Sequence, residues 1–148
     1  MAKPLTKLHF IDDSADEHFI NKMVLKRENL NLDYRGYETA DAFFAETHSL
    51  ERWRREEGII AVDLNLTITD GSEVVKALRA DERFGDAIVG ICSGSEDPYD
   101  RQKALDAGAD FFVNKPFNRR AIEAIATEID GLEVATNADE KLDLRLTS

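Results

Sequence analysis

Short apolar runs alternate with amphipathic stretches five times along this chain, which predicts an open, doubly wound α/β fold of five parallel strands with five helices. Two further features support that reading. The central apolar runs are almost uninterrupted, as strands covered on both faces require, and acidic, hydroxyl and lysine side chains recur where the runs end.

Leu8 to Ile11 (LHFI) is apolar and stops at Asp12–Asp13, like a buried strand that ends at a polar edge. Ser14 and Glu17 have capping-box spacing, and Ala15, Phe19 and Met23 with Ile20 and Val24 form one face of a first helix. Leu32 to Tyr37 alternates Asp33 and Arg35 with apolar residues, which suits a second strand near the sheet edge. Thr39 to Glu57 reads as a long second helix with Phe43, Phe44, Leu50 and Trp53 on or near one face and a densely charged end, LERWRREE. Ile59 to Val62 suits a central strand and ends at Asp63, and Asp70–Gly71–Ser72–Glu73 opens a third helix with Gly71, Val74, Val75 and Leu78 at helical spacing. Ala87 to Ile91 is a fourth strand ending at Cys92–Ser93–Gly94; Pro98 suits the first turn of the helix after it and Gly108 its stop. Phe111 to Val113 is a short fifth strand before Asn114–Lys115–Pro116, and Asn118 to Asp130 is the last helix, with Ile122, Ile125, Ala126 and Ile129 on one face. One domain is expected over residues 1–130. Residues 131–148 turn polar and irregular and are expected to form a mobile tail, within which LDLRL is a candidate short strand or partner-binding segment.

Composition narrows the function classes. The 148 residues favour one domain with a sizeable core, and 43% hydrophobic with 33% charged residues is a soluble, globular balance. With 19 Lys and Arg against 30 Asp and Glu the net charge is -11, which repels nucleic acid and anionic lipid; no basic stripe interleaved with aromatics appears. Neither direct nucleic-acid binding nor a membrane partner is expected. The single cysteine, Cys92, cannot close an intramolecular disulfide, and the N-terminal apolar run is too short for a signal peptide or a membrane span. A cytoplasmic location is expected.

In an open parallel sheet, ligands bind beyond the carboxyl ends of the strands, where the strand order reverses. Asp12 and Asp13 follow the first strand, Asp63 the third, Ser93 the fourth and Lys115 the fifth. Three converging carboxylates repel unless a cation neutralises them, and oxygen ligands without histidine or a second cysteine point to a hard ion, Mg²⁺ where phosphate is involved. Lys115 adds a point charge and the Ser93 hydroxyl a donor for phosphate oxygens. A carboxylate oxygen of Asp63 is then placed to attack a phosphoryl group and form an aspartyl-phosphate. Each residue also has an ordinary alternative: capping for Asp12–Asp13, a turn for Ser93–Gly94, a surface dipeptide for Lys115–Pro116. Their occurrence in order at successive strand ends favours the shared site.

In FIDDSADE, IIAVDLNLTITDG, GICSGS and GADFFVNKPF the sequence resembles the receiver domain of bacterial two-component response regulators, over roughly residues 5 to 130. The resemblance implies the flavodoxin-like receiver fold and a role for each matching position. Asp63 would be the phosphoacceptor. Asp13 and Asp63 would ligate Mg²⁺ directly, Asp12 through water, and Asn65 through its backbone carbonyl. Ser93 would move to hold phosphoryl oxygens, with Gly94 as a further contact, and Lys115 would pair with them. Phe112 takes the position of the switch aromatic, with a plain core aromatic as the alternative. Thr67 stands where the family usually has proline, Asn65 and Ser95 where it tunes dephosphorylation, and the region Leu50 to Glu57 is longer than usual.

A histidine kinase or histidine phosphotransfer protein is the implied donor. Since about twenty residues after the domain cannot fold as a DNA-binding unit, output is expected through protein contacts of the fourth helix, fifth strand and fifth helix, Pro98 to Asp130, with a downstream protein or, on phosphorylation, a second copy. Arg101, Arg119 and Arg120 are available there, either as a solvated face or as a docking site. Two other classes stay open: a phosphohydrolase with an aspartyl intermediate, against which Asn65 stands where a second Asp is usual, and an interaction module independent of phosphorylation.

Overall fold

The computed structural model describes residues 2–147. Its main sheet holds β2 (Lys7–Ile11), β3 (Asp33–Tyr37), β4 (Ile59–Val62), β5 (Ile88–Ser93) and β6 (Phe111–Asn114), after a two-residue β1 (Lys3–Pro4). Between and after them run α1 (Ala15–Arg27), α2 (Ala40–Glu46), α3 (Gly71–Ala80), α4 (Pro98–Asp106) and α5 (Arg119–Glu128). The sheet is parallel throughout, in the order β3-β2-β4-β5-β6. The expected doubly wound sheet with five helices is therefore present, and β3 is the edge strand that its mixed pattern implied.

Alternation along each strand divides the core in two. Leu8, Phe10, Ile59 and Ala61 face one side and pack with Leu25, Ile122 and Ile125 of the flanking helices. Ile11, Ile60 and Val62 face the other and pack with Phe43, Val74, Val75, Leu78 and Ala104. All four positions of β4 are buried, which explains its unbroken apolar run.

The caps fall where side chains satisfy the free backbone N–H groups of the first turns. Ser14, Thr39, Asp70, Asp97 and Asn118 accept from Glu17, Ala42, Ser72, Tyr99 and Ala121. Pro98 sits in the first turn of α4, and Gly108 ends it at φ 108°.

Three stretches differ from the sequence reading. First, the long second helix stops at Glu46. The Thr47 hydroxyl donates back to the Phe43 carbonyl, and Arg83 donates from Nη1 to the Thr47 carbonyl at 2.8 Å, so the helix end is satisfied from outside. The chain then turns inward to bury Trp53 against Phe43, Phe84 and His9. A single 3₁₀ turn at Arg55–Glu57 precedes β4. Burial of one large aromatic outweighs helix propensity here.

Second, α1 packs through Asn21, Val24 and Leu25, so Phe19, Ile20 and Met23 are 63%, 42% and 49% exposed. The apolar face read from the sequence is wider than the sheet can cover.

Third, the tail forms a hairpin, in which the candidate strand LDLRL is present as β8: β7 (Leu132–Thr136) pairs antiparallel with β8 (Leu142–Leu146), and β1 adds to its other edge. Backbone bonds tie it to the domain, from Leu5 N to the Leu144 carbonyl, Asn31 N to the Leu142 carbonyl and Leu142 N to the Asn29 carbonyl, each 2.8 Å. Leu132, Leu142 and Leu144 join the core cluster of Leu5, Leu8, Leu30 and Leu32. Polar residues conceal this role because each strand shows only one face to the core, and because Asp143, although buried, is paired with Asn31, Asn137 and Arg145.

Two stability outcomes follow. Leu144→Ala should lower unfolding free energy by about 2–5 kcal/mol in urea titration, whereas a dispensable tail would leave it unchanged. His9 is buried beside Lys7 and Arg35, and burial first, then those charges, lowers its pKa from 6.5 to about 4. Between those values the unfolded chain binds the proton and the folded one does not. Its contribution is therefore complete above about pH 6.5 and falls away toward pH 4, by roughly 3 kcal/mol in all. The slope of stability against pH in that window should flatten in His9→Phe.

Candidate functional site

The sheet ladder itself assembles the site. Beyond the strand ends three backbone bonds of 2.9 Å continue the pairing: Asp12 N to the Tyr37 carbonyl, Asp63 N to the Ile11 carbonyl, and Lys115 N to the Ser93 carbonyl. Each functional residue is thus the next rung after a buried strand, at the carboxyl end of the sheet. The chain runs from β2 out to β3 and returns on the other side at β4, so Asp12 and Asp63 flank the point where strand order reverses.

Asp12, Asp13 and Asp63 each offer a carboxylate oxygen within 4.8 Å of the others. Asp12 and Asp63 are 1% and 6% exposed, while Asp13 faces solvent. Lys115 reaches between them, with Nζ 3.2 Å from Asp12 Oδ2, 3.3 Å from Asp63 Oδ1 and 3.8 Å from Glu17 Oε1. Burial raises the Asp63 pKa above the ordinary carboxylate value, and Asp12 adds to this, while Lys115 opposes it. For Lys115 burial works against the charge, yet Asp63, Asp12 and Glu17 together outweigh it and hold its pKa up.

One ammonium does not balance this group. Two ionised carboxylates at such separations repel by on the order of 3 kcal/mol at an effective dielectric of about 20, and the three aspartates make three such pairs. Oxygen donors alone, short of positive charge and open to solvent on the Asp13 side, fit a hard divalent cation.

The start of α3 is pressed against Asp63. Gly71 N donates to the Leu64 carbonyl at 2.7 Å, and a Cβ at Gly71 would lie 2.2 Å from the Asp63 carbonyl oxygen, so only glycine allows this approach. Asn65 forms a bridge with Asp70, which caps α3 and pairs with Lys103. Ser93 is fully buried at the end of β5, and its Oγ accepts from Ser95 N at 3.1 Å. Ser95 in turn donates to Asp100 at 2.6 Å. Around Gly94 the space is open, with no atom within 4 Å of a Cβ placed there. Phe112 is 7% exposed and turned inward, and its carbonyl accepts from Arg101.

The structure brings Asp12, Asp13, Asp63 and Lys115 together, as the strand-end argument implied. Several contributors escaped that argument. Glu17, read as a capping residue, also faces Lys115. His18 Nε2 bonds the Asp12 carbonyl at 2.7 Å and its Nδ1 meets the Tyr34 hydroxyl; Asn21 links Tyr34 to the Phe117 amide. This partly buried chain links the Asp12 carbonyl to the amide of Phe117, two residues after Lys115. Its only trace in the sequence is Gly36, where a Cβ would strike the His18 ring at 2.7 Å.

Residues 9–127 match the family model for the response regulator receiver domain. The chain belongs to that family. Receivers are the phosphoacceptor signalling modules of two-component systems. This receiver is 29% identical over 122 residues to the chemotaxis protein CheY1 of Helicobacter pylori, covering 79% of this chain and 90% of that protein. It is 32% identical over 107 residues to the transcriptional regulatory protein PrrA of Mycobacterium tuberculosis. That match covers 72% of this chain but 42% of PrrA, so the receiver spans less than half the length of such relatives. Among solved structures it resembles a Burkholderia pseudomallei response regulator with a phosphorylated aspartic acid, calcium ion and citrate. The TM-score is 0.64 at 23% identity, over 82% of this chain and 67% of that one. The hairpin beyond residue 131 lies outside the family model.

Lys115→Met should raise the Asp63 pKa further, since burial and the Asp12 charge would remain without the opposing ammonium. Carbon-13 NMR of the side-chain carboxyl in cation-free buffer reads this directly, and an unchanged titration would show that the pair does not interact.

Proposed function

We propose that this receiver accepts a phosphoryl group on Asp63 in a Mg²⁺-dependent reaction and transmits that state through protein contacts. The observation that carries the proposal is the Lys115 ammonium lying between Asp12 and Asp63, with the Asp13 carboxylate beside them forming no salt bridge among the described residues. A purely structural ion pair would not require three carboxylates at one strand-end crevice.

Asp13 and Asp63, with the Asn65 backbone carbonyl and Asp12 through water, would hold the ion. When bound, Mg²⁺ supplies the positive charge that the carboxylates and phosphoryl oxygens still lack. An Asp63 oxygen attacks phosphorus as the P–N bond of a phosphohistidine breaks, and the imidazole leaves with the bonding electron pair. Lys115 and the Ser93 hydroxyl hold the equatorial oxygens, with the open backbone at Gly94 as a further contact. Water later breaks the acyl phosphate and restores the carboxylate. The donor is a histidine kinase or phosphotransfer protein, and exposed Phe19, Ile20 and Met23 on the helix that starts at the site give it an apolar face to meet. The calcium ion and phosphorylated aspartate of the Burkholderia relative support the same reading.

For output we infer the face of α4, β6 and α5. A groove of about 720 Å³ runs there, lined by Arg101, Arg120, Glu128 and Phe112 among others. Phe112 borders both this groove and the core, which suits a switch aromatic that changes position as Ser93 moves. The partner is a downstream protein or a second copy in a phosphorylation-dependent dimer. No helix among the described residues is long and apolar enough to cross a membrane, and we place the reaction in the cytoplasm.

Incubation with acetyl phosphate and Mg²⁺ should give an acid-stable, base-labile adduct of one phosphoryl group by intact mass. Asp63→Asn should abolish it. Full labelling of that variant would refute the assignment.

A further inference from the structure

The loop between β4 and α3 is tied to the chain at its base, by the Gly71–Leu64 backbone bond and the Asn65–Asp70 bridge. At its tip Thr67 makes the attachment. The Thr67 N–H donates to Asp13 Oδ2 at 2.6 Å, and the Thr67 hydroxyl donates to the same oxygen. Ile68, next in the loop, is 89% exposed. Proline at this position would offer neither donor.

We propose that Thr67 is a positioning residue for the cation ligand Asp13, and that through it cation occupancy is felt by the loop that follows the phosphoacceptor. The inference rests on the cation-site reading above. Both bonds fall on one carboxylate oxygen. Oδ2 is therefore tied to the loop, and no bond to another described residue holds Oδ1, which stays available to a cation. Mg²⁺ demands near-ideal octahedral geometry and loses water reluctantly, so a carboxylate already fixed in orientation binds it with less reorganisation. Thr67 thus acts on a ligand without touching the ion, as outer-shell partners of metal sites do. Asp13 follows β2 and the loop follows β4, so this contact links two segments that meet only at the site. Ile68, next in sequence and open to solvent, would carry the effect of the ion to the surface a partner meets.

Mg²⁺ titration of the full chain by calorimetry, in wild type, Thr67→Ser and Thr67→Val, tests this. Valine keeps the backbone N–H and the side-chain shape but loses the hydroxyl. Its dissociation constant should rise roughly tenfold, while serine should stay within about twofold of wild type. In wild type the amide resonances of Thr67 and Ile68 should shift with the same dissociation constant as the heat, a readout that needs no variant. Equal or tighter binding by Thr67→Val, failure of Thr67→Ser to restore affinity, or loop amides indifferent to a bound ion would each overturn the inference while leaving the cation site standing. A wild-type protein that binds no Mg²⁺ would overturn the cation site itself, and this inference with it.

Discussion

The Lys115 ammonium between the carboxylates of Asp12 and Asp63 is the contact to which the arrangement of the molecule answers. Two nearly inaccessible carboxylates at adjacent strand ends would drive those ends apart or take up protons. A half-buried cation from the end of a third strand holds them together. For that cation to arrive, β6 must end in register with β2 and β4, although β5 lies between. The unbroken apolar runs secure the register, because a slip of one residue would turn every buried side chain of a strand to the opposite face. Core packing and site geometry are therefore one constraint read at two ends of the same strands.

The balance at the site is deliberately incomplete in charge. Lys115 offsets the buried pair, while Asp13, open to solvent, is met by neutral donors from Thr67. Neutral donors orient a carboxylate without cancelling its charge, so the crevice keeps its attraction for a cation. Rigidity comes from behind: Gly71 lets α3 start against the Asp63 carbonyl, and the His18–Tyr34–Asn21 chain joins the Asp12 end to the Phe117 amide. At the opposite end of the sheet the hairpin closes the core over Leu5, Leu8 and Leu30. The carboxyl end remains free for chemistry and contacts.

What was legible in the sequence depended on signals that are local. Asp63 could be found because an apolar strand points to the residue after it, and Asp12 and Lys115 for the same reason. The helix caps were equally readable, since a cap and its N–H partner lie two or three residues apart. Trp53 was not: it leaves the helical pattern to join Phe43, Phe84 and His9, and that aromatic cluster exists only after folding. The exposed Phe19 and Met23 were misread for the converse reason, because helical spacing shows an apolar stripe but not how much of it a neighbour covers. In the hairpin, Leu132, Leu142 and Leu144 are separated by charged residues, and one partner of the buried Asp143, Asn31, lies more than a hundred positions away.

The sequence by itself determined the five βα units, the edge position of β3, and which side chains stand at the carboxyl ends of the strands. Periodicity and chain order carry that information, and the rule that parallel crossovers place strand ends together completes it. Only the tertiary structure decided that Lys115 lies between Asp12 and Asp63 but not beside Asp13, that Thr67 bonds Asp13, and that residues after 131 close the far end of the core. Those outcomes depend on distances of a few ångströms between segments remote in the chain. Side-chain hydrogen bonds and apolar burial settle such distances only once the strands are in register.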